Sequence, residues 1–162
     1  LMTRLRSTSP AETSRLGKHL GALLAAGDVV CLSGGLGAGK TGFCRGIGIG
    51  YGARTQLTSP SYNLVHEHQR AEDATRLYHL DCYRLDDAME APGLGIDDIL
   101  DGSGIVVIEW AGRIEPFLPA ERLWIDFDMR GETSRDLHCQ AVGERHIARL
   151  AGWLRALESD GP

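Results

Sequence analysis

The chain has 162 residues, which is enough for one domain with a single substantial core. Hydrophobic residues make up 43% of it and charged residues 24%, as in a soluble globular protein, and no apolar run approaches the length of a membrane span. The formal net charge of −5 argues against a large basic surface for nucleic acid, although it allows a local basic patch. The four cysteines are scattered without a C-x-x-C pair, so we expect reduced thiols in a cytoplasmic protein.

The N-terminal part of the chain predicts a helix followed by a strand. The stretch Ser9-Pro10-Ala11-Glu12 has the spacing of a capping box with proline in the first turn. Leucines at helical spacing follow it, and Gly27 ends the segment. The segment 29–33 opens with four apolar residues between turn signals, which predicts a short buried strand.

A second helix is predicted from Lys40 to about Tyr51, despite an unfavourable composition. Its interior is rich in glycine, which is a poor helix former. We expect Gly42 and Gly46 to permit close packing on the sheet. Packing, rather than intrinsic propensity, therefore has to hold this helix.

Residues 34–41, between that strand and that helix, match G-x-x-x-x-G-K-[ST], the pattern of a phosphate-binding loop. Glycines lack a Cβ, so the backbone can take positive φ and turn its N–H groups onto phosphate oxygens. Lys40 is a compact cation that can reach the β- and γ-phosphates, and the Thr41 hydroxyl can bind Mg²⁺. The dipole of the following helix adds positive potential at the same place. The residues predicted to bind the nucleotide are Gly34, Gly35, Leu36, Gly37, Ala38, Gly39, Lys40, Thr41 and Gly42.

The same glycines also fit G-x-G-x-x-G, the dinucleotide fingerprint, from Gly37 to Gly42. That motif needs an acidic residue about 20 positions further on, at the end of the next strand. The corresponding segment 58–62 has no acid, and the first one to follow it is Glu67. Lysine is scarce in this chain, yet Lys40 stands where a phosphate loop needs a point charge. We therefore interpret the segment as a phosphate loop.

The rest of the chain predicts a mixed arrangement of strands and helices. The elements expected after the loop helix, in chain order, are strands at 62–68 and 77–85, one or two short helices within 86–101, strands at 105–108, 123–129 and 136–142, and a helix at 144–157. The first two strands flank a charged turn and should form a hairpin, and the last helix is amphipathic through Ile147, Leu150, Leu154 and Leu157. These elements predict one P-loop NTPase-like α/β domain over residues 1–162, a mixed β-sheet flanked by helices.

Two carboxylates are candidates for work beside the phosphate loop. A nucleotide-hydrolysing loop needs a carboxylate at the end of a neighbouring buried strand to hold Mg²⁺ or its water, and Glu109 directly follows the strand 105–108. Asp81 is the second candidate, on the same face of its strand as His79 and Tyr83. Because an unpaired carboxylate among aromatic neighbours is costly, we expect an arginine or a metal ion as its partner.

Histidines offer an alternative chemistry. His66 and His68 share one face of a predicted strand, and His79 and Asp81 repeat that spacing on the next one. A suitable hairpin register would bring them together as a metal site of the hydrolase type. Two surface histidines on an edge strand are the other interpretation, and the more common one.

Two absences from the sequence bear on the nucleotide and the reaction. The N-K-x-D element of small GTPases is missing, since Asn63 is followed by leucine, and adenine is favoured over guanine. The chain also has no arginine-rich lid of the kind that small-molecule kinases fold over their substrates. We therefore favour hydrolysis over phosphoryl transfer to a metabolite.

Several motifs occur together in an order known from one bacterial family. They are Gly34-Gly35-Leu36-Gly37-Ala38-Gly39-Lys40-Thr41, Arg45-Gly46, Thr58-Ser59-Pro60-Ser61-Tyr62, Asp81-Cys82-Tyr83-Arg84-Leu85 and Ile108-Glu109-Trp110. Over roughly residues 9–129 the chain thereby resembles the TsaE family, the bacterial ATPases of tRNA threonylcarbamoyladenosine biosynthesis. This ordered set of motifs is far more specific than the phosphate loop alone.

The resemblance implies a cytoplasmic protein that binds ATP with Mg²⁺ and hydrolyses it weakly. Such proteins act with the TsaD–TsaB transferase complex, which modifies adenosine 37 of tRNAs that read codons beginning with A, so tRNA is met only through the partner. By match, Lys40 and Thr41 are phosphate and Mg²⁺ ligands. Ser61 provides the hydroxyl of a switch-like loop, and Asp81 and Glu109 are the functional carboxylates, with Glu109 at the metal.

The chain departs from the family pattern at several positions. Gly35 stands where an acidic residue is usual. Gly42 stands where a residue with a hydroxyl is usual, which leaves Thr41 without a neighbouring hydroxyl at the metal. Three further replacements, of the usual Thr, Leu and Pro, are Ser61, Cys82 and Ala111. The change at position 42 bears on the rate of hydrolysis more than on nucleotide binding.

Two other functions remain open at this stage. In the first, ATP serves as structural glue for partner assembly and its hydrolysis is incidental. In the second, which is the least favoured, the histidines form a metal-dependent hydrolase. ATP turnover with and without the transferase pair separates the first of these from a working ATPase.

We predict that Lys40→Ala abolishes tight ATP binding, because the loop then has no side-chain charge to neutralise the β- and γ-phosphates. Isothermal titration calorimetry of the wild-type and variant proteins measures this. An unchanged affinity in the variant would overturn the interpretation of residues 34–41 as a phosphate loop.

Overall fold

The computed structural model describes residues 1–57 and 64–160. The strands are β1 (Met2–Ser7), β2 (Val29–Gly34), β3 (Val65–His68), β4 (Leu77–Asp81), β5 (Ile105–Glu109), β6 (Leu123–Met129) and β7 (Arg135–Ala141). The α-helices are α1 (Pro10–Leu23), α2 (Lys40–Tyr51), α3 (Ile96–Ile99) and α4 (Glu144–Asp160), and 3₁₀ segments run over Ala88–Leu94 and Ala111–Phe117.

The strands form one mixed sheet in the order β1-β7-β6-β2-β5-β4-β3. β2 lies between β5 and β6 and is parallel to both, and β4 is parallel to β5. The outer pairings are antiparallel: β3 with β4 on one side, and β6 with β7 and β7 with β1 on the other. Because β2, β4 and β5 run in the same direction, their carboxyl ends meet at one edge of the sheet, where open α/β sheets bind ligands.

Most predicted elements are present close to their predicted bounds. α2 begins and ends at the predicted residues, and β3 and β4 form the predicted hairpin. The predicted strand 77–85 was too long: β4 ends at Asp81, and the chain then turns, with the N–H of Leu85 donating to the carbonyl of Cys82 at 3.1 Å. Residues 62 and 63 of the predicted strand 62–68 lie outside the described residues.

Two elements were not predicted, and both depend on distant or irregular contacts. β1 is an edge strand that pairs with β7 along its whole length. Arg6 on β1 forms an ion pair with the buried carboxylate of Asp136, 130 residues away, at 2.8 Å. The other missed element is the 3₁₀ segment Ala111–Phe117, which contains a proline and a kink at Ile114. Neither element has the periodic pattern on which a local prediction rests.

Close packing against α1 explains two of the four glycines of α2, Gly46 and Gly50. A Cβ at Gly46 would lie 2.1 Å from the carbonyl oxygen of Ser14, and one at Gly50 would lie 2.0 Å from that of Lys18. The expectation that Gly42 and Gly46 pack on the sheet was therefore wrong: Gly46 packs on α1, and a Cβ at Gly42 would meet nothing within 4 Å. The two helix backbones therefore contact each other directly at Gly46 and Gly50.

Helices cover both faces of the sheet. α1, α2 and α4 pack on one face, and α3 with the two 3₁₀ segments packs on the other. In α4, Trp153 is fully buried and its Nε1–H donates to the carbonyl of Leu16 at 3.0 Å, whereas Ile147, predicted on the apolar face, is 39% exposed. Of the helices within the described ranges, none has both the length and the apolar character needed to span a membrane.

A buried histidine connects α4 to the start of β2. The N–H of Val29 donates to Nε2 of His146 at 3.0 Å, and the neighbouring carboxylate of Asp28 accepts from Nε of Arg149 at 2.8 Å. Burial is the largest influence on the pKa of His146 and lowers it. The carboxylate of Asp28 raises this pKa in part, and the nearby Arg145 lowers it by a smaller amount. Only the neutral imidazole can accept the Val29 hydrogen bond, so the native contact and the lowered pKa agree.

We predict that the free energy of unfolding falls as the pH drops below about 6.5, the ordinary pKa of an unfolded histidine. Below this pH His146 binds a proton in the unfolded chain but not in the native protein, whose His146 has a lowered pKa. Burial lowers the pKa of His68 to about 4, so His68 also makes the native protein less stable at low pH. Chemical denaturation of His146→Gln should show a smaller fall, by up to about 1.4 kcal/mol per pH unit, because the amide oxygen accepts from Val29 without titrating.

A His146→Gln profile that follows the wild type would show that the buried imidazole does not couple folding to pH.

Candidate phosphate-binding site

The loop between β2 and α2 takes backbone conformations that require glycine. Gly34, Gly37 and Gly39 have φ of +129°, +74° and +106°. A Cβ at Gly34 would also lie 2.6 Å from the carbonyl oxygen of Phe127. By contrast, a Cβ at Gly35 would meet nothing within 4 Å, so the space beside this residue is open. The loop leads into α2, whose first turn directs N–H groups and positive potential toward it.

Lys40, the first residue of α2, is folded back over this loop. Its Nζ donates to the carbonyls of Gly34 at 2.6 Å and Gly35 at 2.8 Å, and lies 4.2 Å from the ring centroid of Trp110. The residue is only 5% exposed, and burial lowers the pKa of its ammonium. A desolvated cation is thus held at the place predicted for the β- and γ-phosphates.

Three carboxylates oppose that shift and so lie within electrostatic reach of the ammonium: Glu109, Asp81 and Asp126, in decreasing order of effect. Glu109 ends β5 and Asp81 ends β4, and the two are register partners on neighbouring parallel strands. The predicted carboxylates are therefore brought together beside Lys40. Asp81 closes its strand, whereas the sequence had placed it in the middle of one.

Of the two partners expected for Asp81, an arginine or a metal ion, the arginine is not found: none forms an ion pair with Asp81 in the described part of the chain. The metal ion stays a prediction. Oδ1 of Asp81 accepts a hydrogen bond from the backbone N–H of Tyr83 at 3.0 Å. Burial raises the pKa of Asp81, and Glu109 raises it further, while Lys40 counteracts the shift. Asp81 is thus a half-buried carboxyl with a raised pKa.

Glu109 is held in place by a histidine that lies beneath the site. Nε2 of His79 is 2.7 Å from Oε2 of Glu109, and the side chains are 0% and 3% exposed. Because a carboxylate oxygen can only accept, Nε2 of His79 carries the shared proton. The thiol of Cys44 completes the cluster, and burial, then Glu109, raises its pKa well above the ordinary value.

This cluster replaces the histidine site considered from the sequence. Within the described ranges, one group of three or more potential metal ligands has its ligand atoms within 4.8 Å of one another. It consists of Cys44, His79 and Glu109. His66 and His68 are not in it: His66 faces His79 across the hairpin in register, and Nδ1 of His68 lies 3.3 Å from Oγ1 of Thr55. The predicted set of His66, His68, His79 and Asp81 does not assemble.

An aromatic wall on the other side of Lys40 was missed from the sequence. Trp110 has φ of +57°, the one positive φ outside glycine among residues 1–57 and 64–160. Its ring lies 4.9 Å from that of Tyr83, and the guanidinium of Arg113 lies 5.6 Å from it. A cavity of about 340 Å³ is lined there by Ser33, Gly34, Trp110, Gly112 and Arg113. A left-handed tryptophan stores strain of roughly 1–2 kcal/mol, which is typical of functional sites.

The other residues predicted for the site lie in or near the loop, except Ser61. Thr41 is the second residue of α2 and is half-buried, and Ala38 is buried at the back of the loop. Leu36 is 68% exposed at the loop tip. Ser61 lies outside the described residues, so its predicted role stays a prediction.

We predict that His79→Phe lowers the free energy of unfolding by about 2–4 kcal/mol, because Glu109 would be left buried without its donor. His79→Gln keeps an N–H that can reach the carboxylate and should lose less than half as much. Urea denaturation measures both. Equal losses in the two variants would mean that the histidine acts only by filling space.

Comparisons with known proteins identify the family of this chain. The family model "Threonylcarbamoyl adenosine biosynthesis protein TsaE" matches residues 7–137. The tRNA threonylcarbamoyladenosine biosynthesis protein TsaE of Bacillus subtilis is 38% identical over 141 residues, 87% of each chain. Its namesake from Streptomyces coelicolor is 40% identical over 147 residues, covering 85% of this chain and 98% of that one.

A solved structure is similar over nearly the whole length. The crystal structure of Bacillus subtilis YdiB aligns with a TM-score of 0.80 and 34% identity, covering 96% of this chain and 95% of that one. The predicted P-loop NTPase-like α/β fold is therefore confirmed. By its family match, its relatives and its fold, this chain belongs to the TsaE family of tRNA threonylcarbamoyladenosine biosynthesis.

Proposed function

We propose that this chain binds ATP with Mg²⁺ at residues 34–41 and hydrolyses it slowly, in the service of threonylcarbamoylation of adenosine 37 in tRNA. The observation that carries the proposal is the desolvated ammonium of Lys40 over a glycine-rich loop, beside the carboxylates of Asp81 and Glu109. Family membership supplies the pathway. We propose a TsaD–TsaB-type transferase complex as the partner, with tRNA met only through it.

The side chains present suit a magnesium nucleotide. Mg²⁺ prefers oxygen ligands, and the Thr41 hydroxyl with the Glu109 carboxylate would hold it, with Asp81 next to them. The loop glycines leave an open cradle, since a Cβ at Gly35 would meet nothing within 4 Å and one at Gly37 only the end of Met129 at 4.0 Å. When bound, Mg²⁺ neutralises phosphate charge and fixes the orientation of the triphosphate.

Each group of the chain has a distinct task in this proposal. Lys40 leaves the carbonyls of Gly34 and Gly35 and pairs with phosphate oxygens, which compensate a buried cation better than neutral carbonyls do. His79 keeps the Glu109 carboxylate aimed at the site. Asp81 orients the attacking water, and its raised pKa favours accepting a proton from that water.

A second candidate is that ATP acts as glue for assembly with the partner, without a need for hydrolysis. Exposed apolar side chains beside the loop favour it: Leu36 is 68% exposed and Met129 is 49% exposed. A partner that covers these side chains would bury the nucleotide between the two proteins.

ATP turnover with and without the purified transferase pair and tRNA tests the proposal. Stimulated turnover, together with loss of repeated transfer when a non-hydrolysable analogue replaces ATP, supports a working ATPase. Full multiple-turnover transfer with the analogue would establish the assembly role instead. No detectable ATP binding by the wild-type protein would overturn both.

We predict that Asp81→Asn, which is nearly isosteric and removes the charge, leaves ATP affinity within a few-fold, a loss under about 1.4 kcal/mol. Turnover in the presence of the partner should be suppressed, because the water is no longer oriented. Glu109→Gln should impair Mg²⁺-linked binding and turnover together. Calorimetry and steady-state kinetics separate the two effects, and an Asp81→Asn variant as devoid of nucleotide as Lys40→Ala would contradict this division of labour.

A further inference from the structure

We propose that Arg135 is a positioning residue of the phosphate loop, which fixes the direction of two loop peptides through a guanidinium fork. Its Nε–H donates to the carbonyl of Ala38 at 3.0 Å, and its Nη2 donates to the carbonyl of Gly37 at 3.1 Å. Arg135 is 97 residues away from Ala38 in the chain and is the first residue of β7. This inference rests on the proposed function, because it concerns how the loop binds phosphate.

The same guanidinium is anchored on its other side. Nη1 donates to the carbonyls of Gly131 at 3.1 Å and Ser134 at 3.0 Å, and both Nη1 and Nη2 lie 3.3 Å from that of Glu132. These three residues form the turn between β6 and β7. Arg135 thereby joins a turn of the sheet to the phosphate loop, and all of its acceptors are backbone carbonyls.

The bonds to the loop carbonyls determine where the loop amides point. In a trans peptide the C=O and the following N–H point in opposite directions. Holding the carbonyls of Gly37 and Ala38 toward Arg135 therefore turns the N–H groups of Ala38 and Gly39 into the loop. The first of these can be followed directly, since the N–H of Ala38 donates across the loop to the carbonyl of Gly35 at 3.2 Å.

The loop benefits from such a support because two of its residues are glycines in conformations that can change easily. Gly37 and Gly39 both have positive φ, and glycine passes readily between positive and negative φ. A loop that sampled many conformations would lose affinity for phosphate, because binding would have to order it. A planar fork with two parallel donors restricts two successive peptides at once.

Among the described residues, no carboxylate competes with the backbone carbonyls for the guanidinium of Arg135. In the described part of the chain no carboxylate lies within the 4.0 Å of an ion pair with it. Its neighbour Arg130, by contrast, pairs with the carboxylates of Asp136 at 2.9 Å and Asp128 at 3.3 Å. Arg130 thus shares the β6–β7 turn with Arg135 but contributes nothing to the loop, which makes it a matched control.

The test compares Arg135→Lys, Arg135→Gln and Arg130→Gln with the wild-type protein by calorimetric titration with ATP and Mg²⁺. We expect both Arg135 variants to bind ATP at least tenfold more weakly, equivalent to about 1.4 kcal/mol. The lysine variant keeps the charge but cannot form the fork, so its loss reports on positioning. Arg130→Gln removes one of two arginines from the buried Asp136 and should lower the thermal unfolding temperature without changing ATP affinity.

Three results would overturn the inference while leaving the proposed function intact. The first is wild-type affinity in Arg135→Lys together with weaker binding by Arg135→Gln, which would mean that only the charge matters. The second is wild-type affinity in both Arg135 variants. The third is an equal loss of affinity in Arg130→Gln, which would mean that general weakening of the turn is the cause. Absence of ATP binding in the wild-type protein would instead overturn the proposed function.

A measurement on the wild-type protein covers the case in which the Arg135 variants do not fold. Solvent exchange of the assigned Nε–H of Arg135 can be followed by NMR with and without ATP. Slow exchange in both states is expected if the bond to Ala38 persists. Exchange as fast as that of an exposed arginine would overturn the inference.

Discussion

The buried ammonium of Lys40 is the group around which the candidate site is arranged. At 5% exposure it has lost most of its water, and two loop carbonyls, the ring of Trp110 and nearby carboxylates compensate only in part, as its lowered pKa indicates. A cation in such a position gains from an anionic ligand that can reach it. In this account the loop is stable without nucleotide, and yet the lysine gains free energy by exchanging carbonyls for phosphate oxygens.

Packing far from the lysine supports the elements that carry the site. Gly46 and Gly50 allow the backbone of α2 to contact α1, and this packing supports the helix whose first residue is Lys40. The parallel course of β2, β5 and β4 brings the loop, Glu109 and Asp81 to the same edge of the sheet. Below that edge, His79 fixes one carboxylate. The site thus combines a loop that needs glycine with carboxylates presented by rigid strands.

The parts of this site that could be predicted from the sequence are those with a local signal. An apolar run, glycines and Lys-Thr in succession define the loop, and a carboxylate after an apolar strand defines Glu109. The role of His79 depends on the alignment of β4 with β5 and on a partner 30 residues away, and the contacts of Arg135 reach 97 residues back. The positive φ of Trp110 also has no local signal, because tryptophan rarely adopts it. The register between distant strands, the contacts between residues far apart in the chain and the strained backbone at Trp110 therefore could not be predicted from local sequence patterns.

The most direct test of this account is a crystal structure with Mg²⁺ and a non-hydrolysable ATP analogue. We predict the triphosphate against the N–H groups of residues 37–41, with Nζ of Lys40 moved from the carbonyls of Gly34 and Gly35 to phosphate oxygens. Glu109 should remain in contact with His79. An analogue bound elsewhere, or a lysine that keeps both carbonyl contacts while the phosphates lie out of its reach, would contradict the account.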